Sequence, residues 1–152
     1  MENKPAPKYS KADLANSVEL LDIVGIVSSA DWEHVYKPMD DSYLMLDTLF
    51  AETILLKQKN PKVIAEIGCG SGFVINNISS HLIGQGVDLQ FGLCSDVNIE
   101  ACFLTRAIAQ RHKLPTQVTL QKYLSSLQAA SCDIVICNPV CPEYNPALRC
   151  HR

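Results

Sequence analysis

Residues 62–72 read KVIAEIGCGSG, a short β-branched run that stops at a loop with glycine at every second position, Gly68, Gly70 and Gly72. Val63 and Ile64 favour an extended, half-buried strand, and the glycines let the chain turn sharply at its end. The next stretch is FVINNISSHLIGQG (73–86), where Val74, Ile78 and Leu82 recur at helical spacing and a glycine lies near the end. DLQFGLCSDV (88–97) then reads as a second strand, and NIEACFLTRAIAQRHK (98–113) as a second helix with cations in its last turn. QVTLQ (117–121) is a third strand, YLSSLQAAS (123–131) a short helix or turn, and CDIVICNP (132–139) a fourth strand closed by proline. Strand and helix in alternation predict an open parallel sheet with helices on its faces. In such sheets ligands bind at the carboxyl ends of the strands, where the strand order reverses.

Upstream the rhythm is helical. Residues 1–9 carry two prolines and several charges and read as a frayed leader. SKADLANSVELLDIVGIVSS (10–29) has a helix-start pattern at Ser10 and Asp13, with Leu14, Val18 and Leu21 at helical spacing, so residues 1–30 are expected to be a leader plus a helical extension. After a polar break at 28–31, DWEHVYKP closes in proline. Asp40 and Asp41 are then placed to cap a single helix, DSYLMLDTLFAETILLKQ (41–58). Residues 31–152 form the second unit, the α/β domain.

Of the 152 residues, 47% are apolar and 19% charged, with a formal charge of −3. That apolar content excludes an intrinsically disordered chain. The slight acidity argues against non-specific nucleic-acid binding, which needs a basic excess to neutralise phosphates. The longest uncharged run, 67–87, is broken by five glycines and several polar residues and is unsuited to a bilayer core. No export signal is legible at the N-terminus, so the seven cysteines read as reduced thiols of a cytoplasmic or nuclear protein. Cys137, Cys141, Cys150 and His151 match none of the usual zinc spacings, and no metal site is expected.

Three clusters fall at the ends of the proposed strands. The loop after the first strand is G-x-G-x-G, not the G-x-G-x-x-G of dinucleotide binding. Glu66 precedes it, and a carboxylate there accepts from a ligand ammonium but repels a pyrophosphate. Asp96 ends the second strand about two dozen residues later, where an acid can accept both hydroxyls of a ribose; alone it could also cap the next helix, but its distance from the glycine loop favours the ribose reading. Asn138-Pro139 ends the fourth strand. The asparagine offers an acceptor and two donors, and the proline a carbonyl without a backbone donor, so the pair can surround a planar nitrogen or simply terminate the strand.

Taken in order, VYKPMDDSYLMLDTL (35–49), AEIGCGSG (65–72), CSDVN (94–98) and DIVICNP (133–139) resemble the class I S-adenosylmethionine-dependent methyltransferases. More narrowly they are similar to the HemK-like protein glutamine methyltransferases, in particular the eukaryotic release-factor branch. The resemblance implies a three-layer, Rossmann-like α/β sheet with an N-terminal helical extension. It implies S-adenosyl-L-methionine as cofactor, with Ser42, Glu66, Gly68, Gly70, Asp96 and Asn138 around it. Asn138 and the Pro139 carbonyl would hold the target nitrogen, a glutamine of a translation release factor. It also implies heterodimer formation with a small zinc-binding activator subunit beside the third strand.

The chain departs from that pattern at Val140-Cys141, where the family has proline and an aromatic after N-P, and at Gln121-Lys122, where the family has an acid that contacts adenine. The resemblance also implies further strands after the fourth, so the sheet is expected to be missing its C-terminal strands. Two readings result: an N-methyltransferase acting on a protein side chain, or an inactive methyltransferase-like protein that binds the activator subunit or another partner. A nicotinamide-dependent oxidoreductase is disfavoured by the glycine spacing and by Glu66.

Overall fold

The computed structural model describes residues 19–125 and 130–138. Its elements run α1 (Asp31–His34), α2 (Asp40–Ala51), α3 (Thr53–Lys59), β1 (Val63–Ile67), α4 (Phe73–Gly84), β2 (Phe91–Asp96), α5 (Ile99–Arg111), β3 (Thr116–Leu120) and β4 (Ile134–Cys137). The four strands form one parallel sheet in the order β3-β2-β1-β4. From β1 the chain steps outward to β2 and β3, then returns to place β4 on the other side of β1, so the order reverses at β1. Every strand and helix expected downstream of Pro61 is present, apart from the stretch around 126–129, which lies outside the described residues.

α4 and α5 share one face of the sheet. The Asn76 amide on α4 donates to the Thr105 carbonyl on α5 (3.2 Å) and accepts from the Thr116 hydroxyl on β3 (2.9 Å). On this face Ile75, Ile78 and Leu82 pack over Ile64, Cys94 and Ile136, with Leu46 and Phe50 of α2 closing the far side of α4. The other face carries the alternate positions, where Phe91 and Val135 are 46% and 55% exposed. No described helix is long and apolar enough to cross a membrane.

The described part of the N-terminal region differs from expectation; residues 1–18 of the expected leader and helical extension lie outside the described residues. Within the described residues, 19–29 form no helix; they run as an irregular segment with a turn at 24–26. Gly25 takes φ +75°, a conformation that ends helical periodicity. Tertiary contacts override the local pattern: Leu21, Ile23, Ile26 and Val27 pack with Trp32 against Val35 and against Ala101, Leu104 and Ile108 of α5. The segment is also tied down by Leu21 N–H to Asn77 Oδ1 (2.9 Å) and by the His112 ring to the Asp22 carbonyl (2.7 Å).

The helix expected over 41–58 is two helices broken at Glu52, and the Thr53 hydroxyl donates to the Phe50 carbonyl at the break (2.6 Å). Asp40 and Asp41 are not its N-cap, which is Met39; they lie in the first turn, where the helix dipole favours acids.

Candidate functional site

Glu66, Asp96 and Asn138 stand at the carboxyl ends of three adjacent strands, β1, β2 and β4, at the point where the sheet order reverses. Ligands of open α/β sheets bind at such a point. Between β1 and α4 the loop turns through Gly68, Gly70 and Gly72, all with positive φ (+71°, +53° and +74°). A Cβ added at Gly68 or Gly70 would meet no atom within 4 Å, so the loop presents open backbone there. At Gly72 an added Cβ would lie 2.6 Å from Thr105 Cγ2 and 2.8 Å from Asn76 Nδ2. Gly72 is thus fixed by close packing, while Gly68 and Gly70 leave room for a ligand.

The amides of this loop are turned into the protein. Gly68 and Cys69 N–H groups donate to the Ser95 carbonyl (2.8 and 3.2 Å), Gly70 N–H to Asp96 Oδ2 (2.9 Å) and Gly72 N–H to the Cys69 carbonyl (2.7 Å). Phosphate-cradling loops point such donors at the ligand; this one spends them on β2 and on itself. The Thr105 hydroxyl holds the loop from α5 by donating to the Gly70 carbonyl (2.9 Å).

Glu66 is 2% exposed. One of its oxygens accepts from Ile75 N–H in the first turn of α4 (3.0 Å). Burial pushes its carboxyl well above the usual range, and Cys69 and Asp96 nearby push it further, against the lowering effect of the Ile75 bond. A buried acid held this way favours its neutral form, and a cation brought beside it would restore the charge. The group fits the ammonium of an amino acid moiety.

Asp96 spends one oxygen on Gly70 N–H and the other on Asn98 N–H (2.9 Å each). It is therefore not the side-chain cap of α5: Asn98 is, accepting from Glu100 N–H (3.0 Å) while its amide donates to the His34 carbonyl (2.7 Å). A carboxylate has about four lone-pair positions, so Asp96 keeps acceptors for a diol while it locks the loop.

Ser42, in the first turn of α2, is buried. Its neighbour Asp41 accepts from the Asn138 amide at Oδ2 (3.0 Å) and from the Tyr36 hydroxyl at Oδ1 (3.3 Å). The sequence motif 35–49 is thereby joined to the end of β4. Tyr43 packs edge-on against Phe73, the first residue of α4, with ring centroids 4.9 Å apart. Pro139, Val140 and Cys141 lie outside the described residues.

Sequence reading placed Glu66, Asp96 and Asn138 at strand ends but missed their supports: Gly72, Asn76, Thr105 and Thr116 under the loop, and Tyr36 beside Asp41. Gly72 and Tyr36 lie inside motifs whose pattern does not mark these roles, and no motif contains Asn76, Thr105 or Thr116. Their contacts join positions 29 to 40 apart in the network under the loop and 97 apart between Asp41 and Asn138.

Comparison with known proteins places the chain among methyltransferases. The family model of the methyltransferase small domain matches residues 41–143. The human methyltransferase HEMK2 is 29% identical over 118 residues, covering 76% of this chain, and the mouse methyltransferase HEMK2 is 26% identical over 120 residues, covering 77%. The chain spans about half the length of these curated relatives, 52% and 53%. The crystal structure of PH1948 from Pyrococcus horikoshii, a methyltransferase provisionally assigned to RNA, superposes with a TM-score of 0.51 at 18% identity, over 85% of this chain and 59% of that one. At that identity the likeness concerns the fold alone. With the family model spanning the helix entry, the glycine loop, Asp96 and Asn138 together, the chain belongs to the methyltransferase small domain family and is a HemK-like class I methyltransferase domain.

Proposed function

We propose that the chain binds S-adenosylmethionine over the Gly68–Gly70 loop and transfers its methyl group to a side-chain amide nitrogen of a protein, a glutamine of a translation release factor being the favoured substrate. The observation that carries the reading is the juxtaposition, on three neighbouring strand ends, of a buried carboxyl, a loop-locking carboxylate and an asparagine. Glu66 would take the ammonium of the methionine part and Asp96 the ribose hydroxyls, with Ser42 near the methionine carboxylate. Asn138, with the Pro139 carbonyl, would hold the target nitrogen.

When bound, the sulfonium supplies a methyl carbon and a good leaving group. Transfer to the target nitrogen's lone pair would release the donor as a neutral thioether, with the surplus proton on nitrogen passing to water. The protein's part is orientation: acceptors aim the nitrogen, and no strong base is required.

A heterodimer with a zinc-binding activator subunit belongs to the same proposal. β3 pairs only with β2 among the described residues, and its last residue Leu120 and Phe103 of α5 are 56% and 63% exposed, which suits addition of a partner strand. The second reading, a methyltransferase-like partner without transfer activity, is favoured by Val140-Cys141 in place of the family's proline and aromatic. Titration calorimetry with S-adenosylmethionine, on the chain alone and with the activator subunit, separates the two. Micromolar binding that Asp96→Ala abolishes supports the enzyme; a folded complex that binds no cofactor leaves the binding partner.

A further inference from the structure

We infer that Asp41 is a positioning residue, which fixes the side-chain amide of Asn138 with its oxygen free to accept from the target nitrogen. The inference deepens the function proposed above and rests on it for its catalytic consequence. Its basis is local chemistry. An asparagine amide can turn over about its last torsion, exchanging an acceptor for a donor with almost no change in shape. A carboxylate only accepts, so the group that faces Asp41 Oδ2 at 3.0 Å must be the NH2 of Asn138. The Asn138 oxygen then points elsewhere, and it takes no hydrogen bond from any described residue.

The other oxygen of Asp41 is also engaged. The Tyr36 hydroxyl donates to Oδ1 at 3.3 Å. Partial burial and the neighbouring Asp41 push the Tyr36 hydroxyl above its usual value, so it remains protonated and remains a donor. Asp41 is thereby held from the segment before α2 while it holds the end of β4. With the NH2 committed, Asn138 presents an acceptor alone. That polarity selects a target that keeps an N–H while its lone pair is alkylated, which a primary carboxamide does, and it rejects a carboxylate, which has no hydrogen to give. An unpinned amide would present NH2 half the time and repel the N–H of the correct target.

Asp41 lies on the exposed side of α2, so its replacement leaves the packed core untouched. The test uses the full chain, labelled with 15N and 13C. In the wild type, one Asn138 NH2 proton is expected to show an NOE to the Asp41 side chain and slowed exchange with water; in Asp41→Asn that protection disappears while the Gly70 and Ile75 backbone signals stay in place. Tyr36→Phe, which leaves the amide contact intact, keeps it. Should Asp41→Asn misfold, the wild-type NOE and exchange rate decide alone, because they are seen only while the NH2 faces the carboxylate.

In parallel, labelled methyl transfer to a glutamine peptide is expected to fall about ten- to a hundredfold in kcat in Asp41→Asn, with S-adenosylmethionine affinity unchanged. Asn138 NH2 protons without that NOE and protection, or full kcat in Asp41→Asn, overturn the inference. The NOE and slowed exchange in a wild type that transfers no methyl uphold the orientation and overturn the proposed function instead, so the two failures are told apart.

Discussion

The two halves of the site are built differently. Under the glycine loop, polar groups are paired inside the protein: Gly70 is held at its N–H by Asp96 and at its carbonyl by Thr105, and Asn76 links Thr105 to Thr116. Past the last β1–β4 pair, Ile67 with Cys137, Asn138 makes one side-chain hydrogen bond among the described residues, its amide against the exposed Asp41 carboxylate. A buried network costs stability when any member is lost, whereas an exposed hydrogen bond costs little and controls geometry. The loop half is thus coupled to folding and the β4 half to orientation, and substitutions in the two should separate stability from turnover.

The largest effect is expected at Gly72. Gly72→Ala places a methyl within 2.6 Å of Thr105 on a backbone at φ +74°. Overpacking at about 1–3 kcal/mol and a left-handed conformation at about 1–2 kcal/mol add to about 2–5 kcal/mol, to be read from urea midpoints. Gly70→Ala, with open space around it, should show only the second cost. Equal losses at both positions would mean that packing under Gly72 is not what fixes the loop.

Thr105→Val comes next. It keeps the shape and removes the donor to the Gly70 carbonyl, for a loss of about 1–2 kcal/mol and weaker cofactor binding. Glu66→Gln tests the same half through pH. Because burial raises the folded-state carboxyl above its unfolded value, the wild type keeps the proton to higher pH when folded than when unfolded. Its stability is therefore full in acid and is lost as pH rises through the folded value. The amide has no such loss, so the stability of Glu66→Gln relative to wild type should grow with pH in a urea series. A difference that stays flat with pH would show that Glu66 does not titrate as a buried acid. The smallest effect is expected in the β4 half, where Tyr36→Phe removes one 3.3 Å hydrogen bond at the surface and should shift stability by less than about 0.5 kcal/mol. A loss as large as that of Thr105→Val would collapse the distinction between the halves.

What sequence discloses obeys the same division. The β-α alternation after Pro61 is legible because each element changes the hydrophobic period, and the ends of those elements put Glu66, Asp96 and Asn138 on one edge. Leu14, Val18 and Leu21 suggested a helix through residue 29, yet Ile23, Ile26 and Val27 found a better surface on α5, a contact that no local pattern encodes. The break at Glu52 is similarly hidden, since Leu46, Leu49, Phe50, Ile54 and Leu55 continue the helical spacing across it. Thr105 and Asn76 read as ordinary polar residues within helical stretches. Only the approach of α4 and α5 makes them a brace for the loop.

The return of β4 to β1 has a consequence in time. Asp133 Oδ2 accepts from the N–H groups of Lys62 and Val63 (2.7 and 2.9 Å), and the pair with Lys62 is 71 residues apart. β1, β2 and β3 can register one after another as they leave the ribosome, but the second edge of β1 has no mate until Ile134–Cys137 has been made. At about 5–20 residues per second of synthesis, that edge stays open for about 4–14 s. The nascent chain therefore carries a sticky interval during which a chaperone, or another nascent copy, competes for the place that β4 will take.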